Sequence, residues 1–176
     1  LDGAASLLGL VQQLSYEGQG GLVLQGAAEV ALADGDDPPA NAYPFPLMDA
    51  AAGCGVHHWW DWQPLVQALL DDRAAGVPPG LCALRVHRAL MAAIVGWASG
   101  SGAAATVILC GGCFQNRLLL EGSITALRRA GHKPYWAEQL PPGDGGLALG
   151  QLLAAHLGLQ RCSASAPAPD QRLAAL

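Results

Sequence analysis

Positive charge is scarce in this chain. It has one lysine, Lys133, and eight arginines, and nothing basic clusters beyond Arg128-Arg129. That argues against nucleic-acid binding through a basic face. Charged residues of both signs make up only 13 %, and the net charge is -5. Val and Ile are also few, nine and three, against 33 Ala and 29 Leu. Ala and Leu lose little freedom in a helix, whereas β-branched residues lose more, so helices are favoured. No run of about 18 apolar residues is free of polar breaks, so no membrane span is expected. The most apolar helical segment, 89–98, is too short. No basic segment followed by an apolar one marks a secretory signal. Five cysteines, at 54, 82, 110, 113 and 162, are too sparse and odd in number for a disulfide framework. The expected compartment is therefore a reduced, cytoplasmic one.

What remains is rich in apolar residues, 52 % of 176, which excludes a disordered chain. The length suits one domain, or one with a fragment, able to bury roughly 70 % of its unfolded surface. Apolar periodicity predicts helices over 2–14, 20–33, 62–74 and 79–98, with Asp61 capping the third and Leu65, Leu69 and Leu70 inward. An acidic, Pro-rich loop, Asp34–Pro39, follows the second. Tyr43-Pro44-Phe45 and His57–Trp60 are candidate short strands. Thr106–Cys110 reads as a buried strand, Asn116–Ala130 as a helix ended by Gly131, and Pro134–Ala137 as a second strand. Together they form a β-α-β unit, expected to be parallel. A last helix spans about 145–157, and the Ala/Ser/Pro-rich stretch 158–176 reads as a frayed tail.

Two glycine pairs share one logic. Gly111-Gly112 stands between a strand and a helix, and Gly145-Gly146 opens the last helix. Both loops leave the carboxyl end of a strand, where open α/β sheets bind ligands, so both can face one cleft. Helix starts there would offer unpaired N–H groups to an anion such as phosphate. The plainer alternative is a pair of ordinary turns. No Walker-type loop is present, so a phosphate site would rest on backbone N–H groups and a metal. Asp144, between Gly143 and Gly145, is either a helix N-cap or a hard oxygen ligand for a divalent ion. Cys110-Gly-Gly-Cys113 reads more readily as two small residues flanking a turn than as a redox or zinc pair. His57 and His58 are adjacent, so on a strand they point to opposite faces and cannot share a metal. His87 and His156 lie on helices, and no His-x-x-x-His pair occurs. Trp59, Trp60 and Trp62 suit packing better than a ligand platform.

Three segments in register resemble the hydrogenase maturation carbamoyltransferases of the HypF type. Cys110-Gly-Gly-Cys-Phe-Gln-Asn-Arg-Leu-Leu-Leu120 resembles that family's S-G-G-V-x-x-N-R-x-L, and Pro141-Pro-Gly-Asp-Gly-Gly-Leu-Ala-Leu-Gly-Gln151 its P-x-x-D-G-G-x-x-L-G-Q. Tyr16-Glu17-Gly18 is similar to its Y-E-G segment, with Leu1–Leu10 like the helix before it. The likeness covers about residues 1–157.

The resemblance implies the C-terminal part of a carbamoyltransferase domain. Its fold would be α/β, the helix-rich C-terminal lobe of an actin/Hsp70-like (ribonuclease H-like) ATPase-superfamily domain, similar to the tRNA threonylcarbamoyl transferases. It further implies that carbamoyl phosphate and ATP give carbamoyl-adenylate in a separate domain. The carbamoyl group then passes to the C-terminal cysteine of HypE, on the way to the cyanide ligands of hydrogenase iron. By residue, it implies Asp144 as a metal ligand and Gly111, Gly112, Asn116, Glu17, Gly18 and Gly145 as the nucleotide-binding set, with no catalytic residue inside this chain. The chain departs from the pattern at Cys110, where Ser is usual, and at Cys113, where Val is frequent. The family's metal-binding H-x-x-x-H and its other domains are not in these 176 residues, so the expectation is half an active site, cut from a longer protein at Leu1. The alternatives are a related transferase acting on tRNA or a small molecule, and a catalytically idle nucleotide-binding module.

Overall fold

The computed structural model describes residues 1–35, 42–49, 58–100 and 105–156. The Asp36–Pro39 part of the acidic loop, Cys54, His57, Cys162 and the expected tail 158–176 lie outside them. Six helices and two small sheets are described: α1 Asp2–Leu7, α2 Gln19–Ala33, β1 Leu47–Asp49, β2 His58–Trp60, α3 Gln63–Ala74, α4 Pro79–Gly100, β3 Thr106–Leu109, α5 Arg117–Arg129, β4 Lys133–Trp136 and α6 Leu147–His156. The chain is thus α/β and rich in helix, as its composition predicts.

α4 is the hub. It packs on α2 and α5 most extensively, and also on α3 and α1. By length and composition alone it would suffice to cross a membrane, contrary to the expectation that no segment would. The expectation counted only runs free of polar breaks, whereas Arg85, His87 and Arg88 interrupt this helix and its remaining residues are apolar enough to outweigh them. In this fold it is a core helix: Cys82, Ala83, Leu84, Val86, His87 and Ala89 are buried among α1, α2 and α3. Small residues let the helices approach closely. A Cβ on Gly80 would lie 2.6 Å from the Ala27 carbonyl oxygen, so α2 and α4 meet nearly backbone to backbone there.

Local signals explain where helices stop. The first ends at Leu7, not at residue 14, because Gly9 takes φ +73 and closes a Schellman motif. Gly9 N–H donates to Ser6 O at 2.9 Å and Leu10 N–H to Ala5 O at 3.0 Å. Leu10 and Val11 still pack on the core, as coil rather than helix. The same motif at Gly131 ends α5 as expected, with His132 N–H donating to Leu127 O at 3.0 Å. Asp61 accepts from Gln63 N–H at 3.0 Å at the start of α3. Leu65 and Leu69 of that helix face the core, but Leu70 is exposed.

β3 and β4 pair in parallel, Thr106 opposite Lys133 through Leu109 opposite Trp136, as the β-α-β reading requires. The first strand is not buried, however. Alternation along it places Leu109 inward against α5 while Ile108 is 71 % exposed, beside Tyr135 at 58 %. An apolar run of four cannot distinguish a strand covered on both faces from one covered on one. β1 and β2 pair antiparallel. The early strand falls at 47–49 rather than 43–45, because Tyr43 is drawn into the core, its hydroxyl donating to Asp72 at 2.6 Å.

Candidate functional site

Both glycine loops do meet at one cleft. A cavity of about 500 Å³ is lined by Glu17, Gly18, Gly112, Asn116, Asp144 and Gly145 from the expected set. Leu1, Asp2, Gly21, Leu22, Cys113, Gln115 and Gly143 also line it. Gly111 lies just behind: it takes φ +105, a conformation that favours glycine, and its N–H donates to the Pro142 carbonyl at 2.6 Å. The two loops are therefore hydrogen-bonded to each other. A Cβ on Gly143 would stand 3.3 Å from Gly112 N, so a larger residue would press the Gly112 backbone back by a few tenths of an ångström.

The N–H groups facing this cleft are not those of the long helices. Short 3-10 turns, Gly112–Gln115 and Asp144–Gly146, precede α5 and α6. Two first-turn N–H groups of α5 are already taken: Asn116 Oδ1 accepts from Leu119 N–H at 2.9 Å, and Gln25 Oε1 from Arg117 N–H at 2.8 Å. At α2, Asp2 Oδ1 accepts from Gly21 N–H at 3.0 Å. By contrast, the N–H groups of Gly112, Cys113, Asp144 and Gly145 make no hydrogen bond among the described residues. Successive free amides in a tight turn form an anion-binding concavity.

Asp144 is exposed and its carboxylate makes no hydrogen bond or ion pair among the described residues. The cap position belongs to Gly143, so the N-cap reading of Asp144 does not hold. A free carboxylate at a cleft rim suits one hard-cation ligand. Among the described residues no three His, Cys, Asp or Glu side chains gather as a metal site, so these residues do not make a complete side-chain site by themselves. Asn116 sits at the cleft but is only 3 % exposed, and all its polar atoms are engaged within the protein. Glu17 and Gly18 reach the cleft through the turn that starts α2, where Gly18 has φ +82.

Other candidates lie elsewhere. Cys110 and Cys113 are free and exposed, and Cys113 alone lines the cleft. His58 pairs with Asp49 at 2.9 Å, and neither lines the cleft. Trp60 stacks on Phe45 with centroids 5.2 Å apart and leans on Trp97, while Trp59 and Trp62 are exposed. Asp2 and Gly21 were not singled out in the sequence. Asp2 reads there as an ordinary first-turn acid, and only the docking of α1 on α2 carries it to the cleft.

The fold and site define a helix-rich α/β unit whose glycine turns converge on one acidic, amide-lined cleft. Residues 1–151 match the family described as carbamoyltransferase, Kae1-like domain, second subdomain. The carbamoyltransferase HypF of Synechocystis sp. is 37 % identical over 154 residues, covering 87 % of this chain and 18 % of its own. HypF2 of Cupriavidus necator is 32 % identical over 172 residues, covering 88 % and 21 %. Among solved structures, full-length HypF in its phosphate- and nucleotide-bound form superposes with a TM-score of 0.73 at 22 % identity, covering 89 % of this chain and 20 % of that one. HypF of T. kodakarensis gives 0.66 at 23 %, covering 90 % and 19 %. The chain belongs to the HypF carbamoyltransferase family, and it spans about a fifth of the length of these relatives.

Proposed function

We propose that this chain forms one lobe of a carbamoyl-transfer site, which passes the carbamoyl group of carbamoyl-adenylate to the C-terminal cysteine of HypE. Carbamoyl phosphate and ATP are the small-molecule substrates in this reading, and the compartment is the cytoplasm. The observation that carries it is one cleft in which, among the described residues, the Asp144 carboxylate and four backbone N–H groups beside it have no partner. The amides of Gly112 and Cys113 and those of Asp144 and Gly145 would hold the phosphate oxygens of the nucleotide, fixed in place before it arrives. Glycine at 112 and 145 lets the ligand come close to the backbone. Asp144 would serve as one ligand of a divalent ion, which when bound neutralises phosphate charge and polarises the acyl carbonyl. The nucleophile is the partner's thiolate, so no nucleophile–base pair is needed within this chain.

In this reading the fold is the second lobe of an actin/Hsp70-like domain, and the first lobe comes from the remaining four-fifths of a HypF protein. Exposed apolar surface supports it. Ile108 and Tyr135 cover one open face of the β3–β4 sheet, and Leu147, Leu149, Leu152 and Leu153 leave α6 largely uncovered. Apolar faces of this kind are ordinarily buried against a neighbour.

The test is Asp144→Ala in the full-length protein. It is expected to abolish carbamoyl transfer to HypE and leave carbamoyl-adenylate formation intact. Transfer at the wild-type rate would refute the assignment.

A further inference from the structure

His87 lies in the middle of α4, is wholly buried, and touches no ligand-facing surface. Its Nδ1 is 2.8 Å from the Ala83 carbonyl oxygen, and its Nε2 is 2.8 Å from the Asn116 side-chain nitrogen. A carbonyl only accepts, so Nδ1 carries the proton and Nε2 offers its lone pair to the Asn116 amide. The orientation of Asn116 is set independently. Its Oδ1 accepts from Leu119 N–H, and its other amide hydrogen goes to the Gly21 carbonyl at 3.1 Å. Every polar atom of both side chains is thereby used.

The geometry has a mechanical consequence. Gly21 lines the cleft from α2, and Asn116 lines it from the turn that starts α5. One buried amide spans both, and one imidazole on the central helix holds that amide in register. Without the imidazole acceptor, an amide hydrogen is left unpaired in the interior, a costly state that the turn relieves by moving.

We propose that His87 is a positioning residue for this cleft, acting through Asn116 to fix the α2 wall against the Gly112–Asn116 turn. This rests on the reading of the cleft as a nucleotide site.

The experiment uses the full-length protein and hydrogen exchange read on peptides covering 16–24 and 110–120, titrated with the ATP analogue AMP-PNP. Local exchange reports this cleft whatever else the protein binds. His87→Asn keeps a donor for Ala83 but is too short to reach Asn116. His87→Gln places an amide oxygen near the lost Nε2. The midpoint for protection is expected to rise about tenfold in His87→Asn and to stay near wild type in His87→Gln. A wild-type midpoint in His87→Asn, or equal loss in both variants, overturns the proposal. If His87→Asn does not fold, Asn116→Ser decides. It retains a cap for Leu119 and loses the bonds to His87 and Gly21, so a tenfold rise supports the proposal and an unchanged midpoint overturns it. Absence of protection in the wild type sinks the nucleotide reading itself, an outcome distinct from the failure of His87 alone.

Discussion

Gly111 N–H donates to the Pro142 carbonyl at 2.6 Å, and this bond joins the loop after β3 to the loop before α6. The two segments are 31 residues apart in the chain, yet their glycines share one wall of the cleft.

Two glycines in that wall should respond in opposite ways. A Cβ on Gly112 meets nothing within 4 Å and projects into open space. Gly112→Ala is therefore expected to change stability by less than about 0.5 kcal/mol. It should raise the KM for nucleotide in the transfer reaction about tenfold, the equivalent of ~1.4 kcal/mol of lost contact. Gly143→Ala instead presses on the backbone of Gly112 at 3.3 Å. It should lose about 1–3 kcal/mol of stability as an overpacked site, measured by thermal melting. Equal melting temperatures for the two variants would contradict this placement.

Acid should weaken the fold in two stages. Burial pushes the His87 pKa down, and the Ala83 carbonyl that accepts from its Nδ1 offsets this only in part. A depressed imidazole contributes stability that is full above the unfolded value, about 6.5, and is lost as pH falls below it. Burial alone would raise the Asp72 carboxyl, but hydrogen bonds from Tyr43 and Arg85 and the Arg85 charge outweigh it and hold Asp72 low. Its contribution is present above about pH 4 and is lost as pH falls further. Urea melts from pH 7 to 3 should show both stages. Asp72→Asn should cost about 1–3 kcal/mol at pH 7 and flatten the lower stage. A lower stage that persists in Asp72→Asn would mean that another carboxylate carries it.

Cys113 lines the cleft but makes no hydrogen bond among the described residues, and Cys110 is exposed beside it. Cys113→Val is therefore expected to keep carbamoyl transfer within about twofold, the scale of a surface substitution. Cys82 is buried, and burial raises its thiol pKa. Peptide-mapped alkylation should thus modify Cys110 and Cys113 in the native protein and Cys82 only on unfolding. Loss of transfer in a well-folded Cys113→Val would give the thiol a role in the site.

Much of the local structure could be read in the chain because it is locally encoded. The apolar spacing over Asn116–Ala130 and the stop at Gly131 specify α5 within about sixteen residues. The same holds for the parallel strands on either side of it. Reading past Gly9 failed because apolar spacing does not distinguish helix from packed coil. The open face at Ile108 was not legible either, since burial depends on what lies across the sheet.

The site divides along the same line. Glycine pairs, an acid between glycines and their order along the chain mark the cleft's loops from sequence alone, because backbone freedom and charge belong to residue type. Only the tertiary structure decided which amides stay unpaired, that Asn116 turns inward to His87, and that Asp2 joins the cleft. Those outcomes depend on contacts between residues 19 to 95 positions apart, made when α1, α2 and α5 dock with one another and α4 takes the centre of the fold.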